Sequence, residues 1–462
     1  MKHVRTLFRV ISSEGVTAAL NRTLDGLAER QRLRRFEPIS AAELQRTNRF
    51  TKPPVINLSV LPPHPNRGGS QLQMLDRLRE EELLRGVALL YPLANAWRLE
   101  VSSGGRRWIL DSPKFSSPPP SLLDEHLLEA VNWARKILGT NALHIESLAG
   151  LPLDRIPALA EDGPIIVAVH DFTGYCRRPH LMEEPHSVFC NYSSDPARCR
   201  SCLGHDWQLP PDAAEVHRHH ARQALMAADH IIFPSEFLKA QYSRLFTDLD
   251  FETRSLVIEP ATELQTKNGI HRPHPHHVAF VGGIKGHKGG ALVVKTALRL
   301  RERHADLRLT SYGDGEPELI RRLKSTARVR VHGYYRSGKL PRLLVRDEVD
   351  VAILPSIWPE SYGLVVDESL RAGVPIVAFD LGAIGPRLKR LGVGRVIPVT
   401  TGAEGLATAA AQLLNAKVSG IEDAVVEMLP TPRKVAEQVL GLYREFEKST
   451  MATEPGAHCP FC

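Results

Sequence analysis

The chain has 462 residues and a formal net charge of +7, and its apolar content of 43% fits a globular protein with a sizeable core. The length exceeds one typical domain and suits two of about 200 residues each. No apolar run approaches the ~18 residues of a membrane-spanning helix. Met1 to Val10 carries charges throughout and no small-residue cleavage site follows, so a cytoplasmic protein is expected.

The charge is uneven. Residues 1–35 hold eight basic and three acidic side chains, a net +5, which leaves +2 for everything else. Val4, Leu7, Phe8 and Ile11 recur at helical spacing, as do Val16, Leu20, Leu24 and Leu27. A basic amphipathic helix of this kind can lie on an anionic leaflet at the inner face of a membrane, each basic group adding about 1 kcal/mol. The alternative is a helical extension, residues 1–50, packed on the protein's own surface. No aromatics interleave with the arginines, which argues against nucleic acid.

The first domain is expected over residues 53–260. Val55 to Val60 reads as its first strand. Gly68-Gly69 then opens a helix, Ser70 to Arg85, and paired glycines between strand and helix make a close-approach turn. Leu89 to Tyr91 is a further strand. Ser102 to Pro120 holds Gly104-Gly105 and a proline cluster and is expected to be irregular. Leu122 to Leu138 reads as a helix. Ile165 to Val169 is a buried strand ending at His170-Asp171, which puts an imidazole and a carboxylate at a strand's carboxyl end. Another strand ends at Phe233, and Ser235 caps the helix after it.

Between these last two strands lies a cysteine-rich insert, residues 172–210. It holds Cys176, Cys190, Cys199 and Cys202. Cys199-x-x-Cys202 has knuckle spacing, and four sulfurs would complete a tetrahedral structural zinc site that orders a long loop. Reduced free thiols are the competing reading, since a cytosolic chain keeps few disulfides. His458-Cys459-Pro460-Phe461-Cys462 forms a second knuckle at the end of the chain.

Residues 261–277 carry His271, His274, His276 and His277 among prolines and read as a linker. The second domain is expected over 278–430, then a closing helix over 431–448 and a tail over 449–462. Val278 to Val281 is a strand followed by Gly282-Gly283-Ile284-Lys285-Gly286-His287-Lys288-Gly289. Lys288 stands where a helix begins, within reach of a phosphate held there. Leu307 to Tyr312 ends at Gly313, and Val329 to His332 ends at Gly333. Strands alternating with helices argue a parallel, doubly wound sheet, whose ligands bind at these carboxyl ends.

The most informative stretch is Pro355 to Phe379. The buried strand Val349–Leu354 precedes Glu360-Ser361-Tyr362-Gly363-Leu364, and Glu368 lies eight positions after Glu360. Apolar spacing from Leu364 fits a helix closed by Gly373 and Pro375. The helix N-terminus offers free N–H groups and a positive dipole, and Gly363 lets an anion approach the backbone.

This run resembles the Glu-x7-Glu motif of the retaining glycosyltransferases of family four. The resemblance covers roughly residues 53–445, most strongly 278–385. It implies the GT-B fold: two doubly wound Rossmann-like α/β domains facing across a cleft. It implies Glu360 on the donor sugar, the Ser361-Tyr362-Gly363-Leu364 backbone on the diphosphate, and Glu368 on the ribose. It implies Lys288 on the leaving phosphate, His170 facing the donor, and Gly68, Gly69, Gly282, Gly283, Gly313 and Gly333 lining the cleft. The co-substrate would be a UDP- or GDP-linked sugar, and the acceptor a hydroxyl on a glycan or lipid-linked carrier, in surface polysaccharide or glycoconjugate assembly. Attack on the donor's front face, with the leaving phosphate taking the acceptor proton, needs no catalytic metal. Some relatives carry a cysteine-rich insert at the same place.

The sequence departs from the family twice. Gly283 stands where the family usually has an arginine five residues before the lysine, with either Lys285 as a substitute or the helix dipole serving alone, and Pro386 stands where a glutamate often follows the last motif. Two competing functions follow: a degenerate scaffold that binds sugar nucleotides without turnover, and a nucleotide-sugar epimerase of the same fold.

Overall fold

The computed structural model describes residues 32–46, 50, 52–64, 69–114, 121–261, 277–336, 338–416 and 421–453, and the account below concerns those. Residues 1–31 of the basic helical extension read over 1–50, Gly68, most of the histidine-rich linker and the terminal knuckle lie outside them.

The first sheet contains β1 (Glu37–Pro38), β2 (Ile56–Leu58), β3 (Val87–Pro92), β4 (Trp97–Ser103), β5 (Arg106–Asp111), β6 (Leu143–Ile145) and β7 (Ile165–Ala168). Beyond the insert hairpin of β8 (Met182–Glu183) and β9 (Val188–Phe189), it adds β10 (His230–Phe233) and β11 (Ser255–Val257). The spatial order is β1-β5-β4-β3-β2-β6-β7-β10-β11. From β3 through β2 to β11 the pairs are parallel, as a doubly wound sheet requires.

One edge departs from that expectation. β3, β4 and β5 form an antiparallel meander, with Leu90 opposite Leu99 and Val101 opposite Trp108. The stretch from Ser102 is therefore paired up to Asp111 rather than irregular. Gly104 and Gly105 form the hairpin turn, and Trp108 and Leu110 are buried on one face with half-buried Ile109 between them. The sheet also reaches back to Glu37–Pro38, ahead of the expected first strand.

The second sheet has the order β14-β13-β12-β15-β16-β17, all parallel: β12 (His277–Val281), β13 (Arg308–Tyr312), β14 (Arg330–Gly333), β15 (Val351–Leu354), β16 (Ile376–Phe379) and β17 (Arg395–Ile397). Alternation sends Val278, Phe280, Val351 and Ile353 into one core layer. Ala279, Val281, Ala352 and Leu354 enter the layer on the other face. Both faces are thus covered by helices, which explains the continuous apolar runs in these strands. His277 belongs to β12 and not to the linker; its buried ring bonds the Asp347 carbonyl and the Thr310 hydroxyl.

The last described helix, Pro432–Thr453, returns to the first domain, where Val439, Leu440 and Tyr443 pack with Ile166, Ala168 and Ile232. A buried polar knot fixes it there. Arg77 pairs with Glu81 and Glu146 and also donates to Asn57 Oδ1 at 3.0 Å and to the Tyr443 hydroxyl at 3.2 Å. Charges taken out of water are tolerated only when paired in this way.

Candidate active site

The carboxyl ends of the two sheets face each other across a cavity of about 440 Å³. From the second domain it is lined by Gly282, Gly283, Lys288, Gly313, Trp358, Glu360 to Val365 and Glu368. From the first domain come Gly69, Ser70, His170 and Asp171. Contacts that join the two sides include the Ser235 hydroxyl, which donates to the Ser361 carbonyl at 2.7 Å, and Gly69, which faces the Leu364 side chain.

Glu360 sits at the centre and is only 8% exposed. Its Oε1 accepts from the Ser356 hydroxyl at 3.0 Å and from the Trp358 indole N–H at 2.9 Å, and Lys288 Nζ lies 3.3 Å away. Three donors on one oxygen fix the carboxylate's orientation, and among the described residues nothing bonds its second oxygen. The backbone is held as well. Ala383 N–H donates to the Glu360 carbonyl at 2.8 Å. Gly382 packs so closely that a Cβ there would lie 2.5 Å from Glu360 N.

Lys288 reaches Glu360 because Gly289 lets its loop press against the end of β15. Gly289 has φ +73°, and a Cβ there would stand 1.9 Å from the Pro355 carbonyl oxygen. Lys285, the expected substitute for the missing arginine, is exposed and does not line the cavity.

Gly363, at φ +86°, opens the Leu364–Arg371 helix without a side-chain cap, and Gly363, Leu364 and Val365 at this helix start line the cavity. One turn on, Glu368 is 5% exposed and lines the same cavity. Burial raises its carboxyl to about 8, with the Asp367 charge adding to the effect. Tyr362 lines the cavity, but its hydroxyl is engaged, donating to Asp367 Oδ2 at 2.8 Å while the Arg387 guanidinium lies 3.6 Å above its ring. Arg387 also pairs with Asp367 and donates to the Tyr362 carbonyl. Pro386 is exposed, and the buried Arg387–Asp367–Tyr362 cluster beside it holds the Glu360–Glu368 segment.

His170 follows β7. Its ring bonds the Glu146 backbone, burial holds its pKa down, and Nε2 is buried with no partner. The residue lines the cavity, although this nitrogen is itself shielded from solvent. Gly333 lies outside the lining and instead accepts from Gly313 N–H. Sequence reading passed over Asp314, Tyr334, Tyr335 and Trp358, which also line the cavity. Tyr334-Tyr335 follows the end of β14 directly, and that position was the available signal.

The four cysteines do not form the expected zinc site. All four are free thiols facing one small cavity of about 30 Å³. Among the described residues no group of three or more His, Cys, Asp or Glu is arranged to hold a metal ion. The reason is local. Cys199 Sγ accepts from Arg218 at 3.2 Å, Cys176 Sγ from Arg178 N–H and Cys202 Sγ from Glu184 N–H, each at 3.4 Å. Arg178, Arg198 and Arg218 line that cavity too, and burial pushes the Cys176 thiol up to about 11. Burial disfavours the thiolate a metal would need, and the arginines, although Arg218 favours the Cys176 thiolate, put like charge where a cation would sit.

No described helix is long and apolar enough to cross a membrane.

Comparison with known proteins agrees with this geometry. Residues 275–416 match the family described as Glycosyl transferases group 1. A glycogen synthase of Mycobacterium tuberculosis is 33% identical over 119 residues, 25% of this chain and 28% of that protein. A D-inositol 3-phosphate glycosyltransferase of Pseudarthrobacter chlorophenolicus is 34% identical over 130 residues, 27% of this chain and 30% of that protein. The chain thus matches under a third of the length of these curated relatives. Among solved structures, sucrose-phosphate synthase from Thermosynechococcus elongatus superposes with TM-score 0.62 at 16% identity, over 86% of this chain and all of that one. The catalytic domain of Arabidopsis thaliana starch synthase IV, bound to ADP and acarbose, gives 0.54 at 12% identity over 87% of this chain and all of that one. The chain has the GT-B fold, and its residues 275–416 match the group 1 glycosyl transferases.

Proposed function

We propose that the chain is a retaining glycosyltransferase that moves a sugar, hexose-like in size, from a nucleoside-diphosphate donor to a hydroxyl on a glycan or lipid-linked acceptor. The observation that carries this reading is the single cavity that gathers Lys288, Glu360, the Gly363-capped helix start and Glu368 opposite His170. Such a set suits a donor with a diphosphate at one end and a neutral sugar at the other.

In this reading the ribose bonds Glu368. The diphosphate lies on the amides of Gly363 and Leu364, where the helix dipole favours negative charge. Binding draws Lys288 from Glu360 toward the phosphate. The sugar lies between the second oxygen of Glu360 and His170. The acceptor oxygen then attacks the anomeric carbon from the face the phosphate leaves. The carbon–oxygen bond to phosphate breaks, and the acceptor proton passes to the leaving phosphate oxygen. Lys288 and the helix start offset the charge that develops there, which is the largest contribution expected from the protein.

The donor's base is UDP-, ADP- or GDP-type. A starch synthase neighbour holds ADP, and a pneumococcal O-GlcNAc transferase with TM-score 0.55 holds UDP. We place the reaction on the cytoplasmic side, in surface polysaccharide or glycoconjugate assembly, with the basic residues 1–35 as the segment that meets an anionic membrane.

The test is a thermal-shift screen against UDP-, GDP-, ADP- and CDP-linked sugars, followed by transfer to a lipid extract and NMR of the product's anomeric centre. An inverted centre removes the retaining mechanism, and no shift with any donor removes the function.

A further inference from the structure

The insert does something its cysteines do not account for: it carries an imidazole across the cleft. His180 lies between Arg178 and Leu181, and both neighbours are pinned to the first domain. Arg178 pairs with Asp206, donates to the Cys202 carbonyl at 3.2 Å and sits 4.3 Å above the Trp207 ring. Leu181 is buried in the first core and donates to the Arg178 carbonyl. From this fixed turn the His180 ring reaches the second domain, 4.3 Å from the His287 ring and 5.3 Å from Trp358, centre to centre. His287 and Trp358 meet edge to face at 5.8 Å. Burial lowers the pKa of both histidines, that of His287 to about 4, so two neutral rings meet without repulsion at neutral pH.

The consequence lies one bond further on. Trp358 donates its indole N–H to Glu360 Oε1, and His287 is followed by Lys288, which faces the same oxygen. We propose that His180 is a positioning residue: by packing on Trp358 and His287 it couples the insert to the orientation of the Glu360 carboxylate. This rests on the transferase reading for its effect on rate, but the coupling itself is physical and is measured separately. A displaced Trp358 would free Glu360 to rotate, and a misdirected hydrogen bond beside the reacting carbon impairs attack.

The experiment compares wild type, His180→Ala and His180→Phe at matched melting temperature. Phenylalanine keeps the ring that packs on Trp358. Hydrogen exchange at residues 285–288 and 356–361 is expected to rise about 10-fold in His180→Ala and return to within about 3-fold of wild type in His180→Phe. Affinity for the preferred nucleoside diphosphate is expected to change less than 2-fold, because that subsite belongs to the second domain alone. With an active donor–acceptor pair, kcat is expected to fall about 10-fold in His180→Ala and recover in His180→Phe. Unchanged exchange in His180→Ala, or no recovery with phenylalanine, overturns the proposal. If wild type transfers no sugar while the exchange pattern appears as described, the coupling stands and the transferase reading falls.

Discussion

Lys288 and Glu360 come from different strand ends, yet Lys288 Nζ lies 3.3 Å from Glu360 Oε1 inside the cleft. The cation is thereby held in place before any ligand arrives, and the carboxylate keeps its charge partly offset. A donor diphosphate, with two negative charges, would compete for Lys288 and release Glu360 toward the sugar.

The meeting depends on Gly289. Gly289→Ala would place a methyl group against the Pro355 carbonyl at a positive φ. We expect a loss of about 1–3 kcal/mol of stability, with a lower melting temperature and reduced turnover. Thermal unfolding checks it, and an unchanged melting curve would show that the loop has another way to approach β15.

Glu368 links stability to pH. Its carboxyl is raised from 4.5 to about 8, so the folded chain holds a proton that the unfolded chain releases. The stability contributed by this group therefore falls as pH rises from about 4.5 to 8, by at most about 1.4 kcal/mol per unit. Glu368→Gln removes that dependence. The melting-temperature advantage of the variant over wild type should grow between pH 5 and pH 8, and a constant difference would contradict the assignment.

The same residue should matter for ligands. Glu368→Ala is expected to weaken nucleoside diphosphate binding by about 0.5–1.5 kcal/mol at neutral pH, the value of hydrogen bonds between the ribose and a carboxyl that keeps its proton up to about pH 8. Calorimetry with the preferred nucleotide measures it; equal affinity would take Glu368 out of the site.

Arg77 anchors the returning helix. Arg77→Ala leaves the buried Glu81 and Glu146 without their partner and should cost about 3–5 kcal/mol. Tyr443→Phe, which removes bonds to Arg77, Asn57 and His144 but leaves the ion pairs, should cost about 1–3 kcal/mol. Denaturant unfolding of both variants decides the order.

Much of the second domain was legible in the sequence because its strands are buried on both faces and end in glycine turns. β12, β15 and β16 appear as short apolar runs, and the Glu360–Glu368 segment follows one of them directly. The β4–β5 hairpin was hidden because Gly104-Gly105 and the prolines after it read as loop, while the pairing depends on β3, a partner distant in the fold's logic though near in sequence. The environment of Pro386 was equally hidden: that Arg387 is buried on Tyr362 and Asp367 is a tertiary fact with no local signature. The cysteine spacing suggested zinc, but the arginines that line the same cavity arrive from Arg178, Arg198 and Arg218, and only packing brings them together.

The central claim is that this cleft transfers a sugar with Lys288 stabilising the leaving phosphate. The most direct test is the initial rate of transfer from the preferred donor, for wild type and Lys288→Ala, with melting curves alongside. The account predicts a turnover lower by ~10²-fold or more in the variant, the loss expected for one stabilising group, at an unchanged melting temperature. Near-normal turnover in Lys288→Ala on a confirmed donor–acceptor pair would place the chemistry elsewhere.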